Sequence, residues 1–291
     1  MKKFTYFLLG FTLAANLQAQ SIPEKIALRA CDCLYSYDTY DQLKDSLKHC
    51  VSSATAYYMT NGPTEDQEYL QSFQGALKTL TEVFDILPSN CYHLRHLMIE
   101  EKKKQYYKLS AISSANEHYE KGNDYINKGD FSNSIMEFNE AIKIDNNFVN
   151  ALDNLGLSYR CQGNYKDALK SYRKSLEIFP EGEIALLNIA VTYSLLKDNK
   201  NSLKYYKELV FYYRDNPEGY FGCGKIFFLK SDYENALENI FIAHKIYTQT
   251  NSEYLKDSET MIRLVYSEMK GKKKLDIFTE KAKKYNIIIT E

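Results

Sequence analysis

The stretch VNALDNLGLSYRCQGNYKDALKSYRKSLEIFPEG, from Val149 to Gly182, decides the fold. Leu152, Leu155, Gly156 and Tyr159 recur at helical spacing, so they line one face of a first helix. Gln162-Gly163-Asn164 follows, and Gly and Asn tolerate turn geometry. Ala168 and Tyr172 then mark a second helix, which runs out at Pro180. Small residues in both helices let them approach closely, and the aromatics fill the space between neighbours. One such hairpin cannot bury its apolar face alone, so copies of it are expected to stack.

Self-comparison finds those copies. Gly122, Gly156, Ala190 and Gly224 are each 34 residues apart. The same offset links Tyr125, Tyr159, Tyr193 and Phe227, then Ser134, Ala168, Ser202 and Ala236. It also links Phe138, Tyr172, Tyr206 and Ile240, and Ala141, Ser175, Leu209 and Ala243. A turn stands at the same place in every copy: Lys128-Gly129-Asp130, Gln162-Gly163-Asn164, Lys197-Asp198-Asn199 and Lys230-Ser231-Asp232.

These columns resemble the tetratricopeptide repeat (TPR) family, whose 34-residue unit keeps small and aromatic residues at such positions. On that register the units are residues 115–148, 149–182, 183–216 and 217–250. The third unit departs from the pattern at Ala190, Ser202 and Leu209. The first lacks the usual large apolar residue where His118 stands. The resemblance implies an all-α fold, a TPR superhelix that is a right-handed α-solenoid of helical hairpins. It also implies binding of a protein or peptide partner in the concave groove, without enzymatic activity.

In the family, the first helix of each unit lines that groove. Carried across, the first unit offers Asn116, Tyr119, Asn123, Ile126 and Asn127. The second offers Asn150, Asp153, Leu157 and Arg160, with Asn154 beside them. The third offers Ile184, Leu187, Val191, Ser194 and Leu195, and the fourth Glu218, Phe221, Lys225, Phe228 and Leu229. The wall thus begins polar and Asn-rich and becomes apolar. Some relatives clamp a C-terminal carboxylate with two Asn and three basic residues. Asn123 and Asn154 match the Asn pair, but Tyr119, Ile184 and Asn188 stand where cations are needed, so that ligand is not expected. The apolar residues also have a plainer reading, as packing between repeats or cover for a terminal helix from Leu275 folded into the groove.

The flanks do not repeat. Residues 1–20 join Lys2 and Lys3 to an apolar run from Phe4 to Leu17, the pattern of a signal peptide, with cleavage expected after Ala19. The run is too short for a stable membrane span. The mature chain is therefore expected to be exported, periplasmic or extracellular. Residues 21–110 read as an N-terminal helical domain with helices Ile22–Tyr35, Tyr40–Met59, Glu65–Leu87 and one from Cys91 onward. Its breaks fall at Asn61-Gly62-Pro63 and Leu87-Pro88-Ser89. Residues 251–291 read as capping helices, Glu253–Met269 and Leu275–Tyr285, separated by Gly271.

Cys31, Cys33, Cys50 and Cys91 all lie in the N-terminal region, and four cysteines in an exported segment predict two disulfides. Cys31 and Cys33 point to nearly opposite sides of a helix, so each is expected to bond Cys50 or Cys91. The alternative is a redox or metal module built from these cysteines with His49, His93 and His96, though their spacing matches no zinc motif. Cys161 and Cys223 read as small thiols in repeat helices.

The net charge is −1 over 291 residues, which is no footprint for nucleic acid. The sequence carries no phosphate-cradling loop, nucleophile elbow or zinc-protease motif, and no cofactor is expected.

Overall fold

The computed structural model describes residues 20–287. The expected signal segment, up to Ala19, lies outside the described residues. Among the described residues there are fifteen helices and no strand. They form two compact units, one ending at Met98 and the other beginning at Ile99.

The N-terminal unit holds α1 (Ile22–Leu34), α2 (Tyr40–Asn61), α3 (Thr64–Gln71), α4 (Phe73–Asn90) and the start of α5 (Tyr92–Tyr106). Ile26, Leu34, Leu43, Leu70, Val83 and Leu87 form its buried core. Two disulfides staple it: Cys31 to Cys91, with α-carbons 5.4 Å apart, and Cys33 to Cys50, 5.6 Å apart. Each cysteine of α1 thus takes a different partner, as their opposed directions require.

Two expected boundaries are corrected. The single helix over Glu65–Leu87 is two, because the Ser72 hydroxyl accepts from the Gly75 N–H at 3.0 Å and starts α4 afresh. Pro88 does not end α4, which runs on to Asn90. Arg95 explains why: its Nη1 donates to the carbonyls of Pro88 and Ser89, both at 2.8 Å, and so satisfies the helix end.

The second unit begins with the remainder of α5 and continues as hairpins. They are α6 (Ser113–Asn127) with α7 (Phe131–Ile144), and α8 (Val149–Cys161) with α9 (Tyr165–Ile178). Next come α10 (Glu183–Leu195) with α11 (Asn199–Tyr212), and α12 (Pro217–Leu229) with α13 (Tyr233–Gln249). Each reversal uses one left-handed residue in the same column: Gly129, Gly163, Lys197 and Ser231, with φ of 73, 78, 59 and 60°. The next residue, Asp130, Asn164, Asp198 or Asp232, caps the second helix by accepting from a backbone N–H three residues on.

Close packing explains the small-residue column. A β-carbon on Gly156 would stand 2.4 Å from the Tyr172 ring, and one on Gly122 2.5 Å from Phe138. In the third hairpin Ala190 fills that column, and the ring of Tyr206 lies instead against Gly222 of the next hairpin, 2.3 Å from where a β-carbon would be. The serines of the other small column are satisfied: Ser134 Oγ donates to Ser158 Oγ at 2.8 Å, and Ser202 Oγ to the Ala190 carbonyl at 3.0 Å.

Beyond the hairpins, α14 (Leu255–Gly271) starts two residues later than expected and keeps Gly271 as its last residue. The chain reverses at Lys273, φ 56°. The final helix α15 (Leu275–Tyr285) packs on α13 and α14, with Phe278 edge-on to Phe241 at 5.7 Å. Lys281 and Lys284 both pair with Glu238 of α13 at 3.2 Å. This terminal helix packs on α13, a second helix of a hairpin, and Phe227 and Phe228 of α12 pack against the same cluster.

Candidate functional site

The wall of first helices is α6, α8, α10 and α12, and another part of the chain lies across one end of it. Ile99, Tyr106 and Tyr107, at the end of α5 and just beyond, pack into an apolar cluster with Val149, Phe179, Leu186, Leu209 and Tyr213. Tyr106 stacks on Phe179 at 5.0 Å, and Tyr107 meets the same ring edge-on at 5.4 Å. Lys102 pairs with Glu181 at 2.6 Å and Lys103 with Glu183 at 3.1 Å. Burial works against the Lys103 ammonium, but Glu183 and Glu100 outweigh it and hold its pKa above the usual lysine value. This segment is a strap that the repeat pattern did not announce, because none of its contacts recur.

The strap decides the fate of the wall residues nearest the helix N-termini. Asn116 holds the segment's end, its amide donating to the Ser110 carbonyl at 2.8 Å and accepting from the Ser110 N–H at 2.9 Å. Asn150 donates to the Lys108 carbonyl at 3.3 Å, and the Tyr107 hydroxyl accepts from the Ile184 N–H at 3.3 Å. Leu187 packs against the strap's apolar cluster. Asp153, expected to face a ligand, is only 1% exposed. Neither of its carboxylate oxygens has a hydrogen-bond partner. Burial pushes its pKa up to about 7, offset in part by the nearby Ser175 hydroxyl. Asn116, Asn150 and Leu187 thus bond or pack against the strap, and Tyr107 of the strap lies within electrostatic reach of buried Asp153.

The other end of the wall is open. Tyr119 packs between Phe138 and Phe148, and its hydroxyl accepts from Asn154, which also donates to Asn123 at 2.7 Å. The Asn pair therefore ties the first two repeats together. Asn127 is exposed. Leu157, Arg160, Val191, Phe221 and Phe228 are half-buried, while Leu195 and Leu229 are 48% and 66% exposed. Lys225 is exposed, with its ammonium 5.5 Å from the centre of the Phe221 ring. Arg160 lies near the hydroxyls of Tyr172 and Tyr206. Burial raises the pKa of both phenols, and the guanidinium pulls the other way.

The N-terminal cysteines are bonded in pairs, so none offers a thiolate. His93 is engaged as well: its Nε2 lies 2.7 Å from the Tyr37 carbonyl and its ring stacks on Tyr35. Among the described residues, no three His, Cys, Asp or Glu side chains gather as a metal ion would need. Cys161 is exposed, and burial pushes the Cys223 thiol up to about 12.

Against known families, residues 117–148 and 184–215 match one tetratricopeptide repeat model, and residues 149–181 match another. The repeats are TPR repeats. The chain builds an all-α TPR superhelix from them, and the fourth hairpin, beyond the matched residues, keeps the same turn and cap. No curated protein matches the sequence. Among solved structures, one of MamA shares 19% identity over 61% of this chain and 98% of that one, with a TM-score of 0.49. A second MamA structure shares 20% identity over 56% and 91%, with a TM-score of 0.48. A tetratricopeptide repeat protein from Parabacteroides merdae ATCC 43184 shares 22% identity over 60% and 77%, with a TM-score of 0.43. TPR repeats of this kind form scaffolds for protein–protein interaction.

Proposed function

We propose that this chain is an exported, non-enzymatic scaffold that docks a protein or peptide partner on the open half of its TPR wall. The observation that carries this reading is the wall itself: half-buried Leu157 and Val191 run out to exposed Leu195 and Leu229. Contiguous apolar surface left uncovered on a repeat protein marks an interaction site. Two disulfides and the signal-like first residues support export, because such bonds persist in oxidising compartments. Among the described residues no helix is long and apolar enough to cross a membrane.

The test is a pull-down from envelope extract with tagged mature protein and with its Leu195→Glu, Leu229→Glu variant. Both substitutions are exposed, so circular dichroism should stay unchanged. A partner identified by mass spectrometry should be retained by the parent and lost by the variant. Equal capture by both would remove the open wall as the docking surface. The mass of the native chain tests export: it should begin at Gln20, and an intact Met1 would refute processing.

A further inference from the structure

The strap and the wall together restrict what can dock. With the N-terminal ends of α8 and α10 covered, a partner meets the C-terminal halves of the wall helices. In the second to fourth repeats the three groove columns there hold two cations, Arg160 and Lys225, and no acid. The nearest acids in sequence, Asp198 and Asp232, are occupied as helix caps, accepting from Asn201 N–H at 3.1 Å and Asn235 N–H at 3.3 Å. The remaining surface is apolar apart from Ser194 and Cys161.

Arg160 adds a second, independent observation. Its Nε is buried without a hydrogen-bond partner. The hydroxyl of Tyr172 lies near the guanidinium, on a side chain that is fully buried. The Tyr172 phenol oxygen can itself accept from the guanidinium and buried Asp153 lies within electrostatic reach of that phenol, so Arg160 enters as a half-buried cation of the wall. A carboxylate is the partner that suits a half-buried guanidinium on an otherwise apolar surface.

Backbone chemistry settles the form of the ligand. An extended segment pressed onto an apolar wall would bury N–H and C=O groups with little to bond them. A helix satisfies its own backbone and brings residues three, four and seven apart onto one face.

Building on the docking reading above, we propose that the open wall takes an amphipathic helix of a partner protein, its leucine-like face on Val191, Leu195 and Leu229 and an acidic side chain on Arg160. Lys225 flanks the same site and favours further acids at the helix edge.

The test uses fluorescence anisotropy on the full mature chain. Three designed helical peptides share one leucine face and carry Glu, Gln or Lys beside it. The Glu peptide should bind about tenfold more tightly than the Gln peptide, and the Lys peptide more weakly than both. Arg160→Gln should remove most of the Glu preference and leave the Gln peptide's affinity unchanged. Lys225→Gln, at an exposed position, should reduce the preference in part and serves if Arg160→Gln fails to fold by circular dichroism. Leu229→Glu should weaken all three. Equal binding of Glu and Gln peptides, with Leu229→Glu still weakening both, overturns the acidic helix and leaves the docking surface standing. Insensitivity of every peptide to Leu229→Glu, or no binding at all, overturns both. Self-association abolished by Leu229→Glu would make the occupant a second copy of this chain and also overturn the proposal.

Discussion

The repeat unit and the N-terminal unit are both all-helical, yet they are held by different means. In the repeat unit the main packing contacts have copies 34 residues away: a small residue under an aromatic ring, a left-handed turn residue, a cap. In the N-terminal unit the contacts do not recur, and two disulfides join its helices. Periodic stacking gives each hairpin a neighbour to bury its face against. A small aperiodic bundle has one core and no repeated partner for its faces, so covalent closure adds stability.

Removing the longer staple should give the largest effect. The Cys31–Cys91 bond closes a separation of 60 residues and Cys33–Cys50 one of 17, for which loop entropy gives about 4 and about 3 kcal/mol. Cys31→Ser with Cys91→Ser should lower protection of N-terminal amides by about 4 kcal/mol in hydrogen exchange followed by mass spectrometry, leaving amides of α8 to α13 unchanged. Equal loss in both units would show that the stack leans on the staple, and the contrast would fail.

The strap predicts a pH effect confined to the repeat unit. Asp153 has a folded pKa of about 7, above its unfolded value near 3.8. Below about pH 4 both states hold the proton and there is no penalty. Between about pH 4 and 7 the unfolded state ionises while the folded state does not, so stability falls as pH rises; above about pH 7 the loss is constant. Asp153→Asn should remove this slope and gain about 3 kcal/mol relative to the parent at neutral pH, allowing for relaxation around the buried group. Urea unfolding across that range checks it. A parent and variant that run parallel would show that Asp153 is ionised at no cost.

A smaller loss is expected at Gly156. A β-carbon there would push on the Tyr172 ring, which is fully buried and has nowhere to turn. Gly156→Ala should destabilise the repeat unit by about 2 kcal/mol. Ala190, in the same column of the third repeat, is the control: Ala190→Gly should bring no comparable gain, because the ring of Tyr206 lies against Gly222 instead. If Gly156→Ala were neutral in thermal unfolding, close packing would not be what keeps this column small.

The same contrast explains what could be read in advance. Recurrence made the hairpins legible: α8, α10 and α12 begin at Val149, Glu183 and Pro217, where the register placed them. In the N-terminal unit two disulfides were expected from the cysteine count and a signal-like N-terminus. Their pairing was not, because spacing says only that Cys31 and Cys33 face apart. The Ser72 cap and the rescue of Pro88 by Arg95 are single events with no second copy to reinforce them. The strap failed to show for the same reason. Lys102 meets Glu181 across 79 residues, and no period relates them. The register therefore put the wall residues on first helices, while Leu187 packs against a segment outside the repeats.

The smallest effect probes the turn column itself. In the N-terminal unit no described residue has a positive φ, whereas every repeat reverses through one. Two repeats use Gly129 and Gly163, and two place Lys197 and Ser231, at φ 59 and 60°, in a region that side chains disfavour. Relief of that strain exceeds the added entropy of a glycine in the unfolded chain only slightly. Lys197→Gly should therefore raise the denaturant midpoint by an amount worth about 0.5 kcal/mol with the slope unchanged, and Gly163→Lys should lower it by about 1 kcal/mol. The opposite signs are the diagnostic. Two exchanges in one column, 34 residues apart, should move stability in opposite directions because the backbone there is set by the stack and not by the residue that occupies it. Should both exchanges destabilise, Lys197 makes a contact of its own and the third repeat is not equivalent to the second.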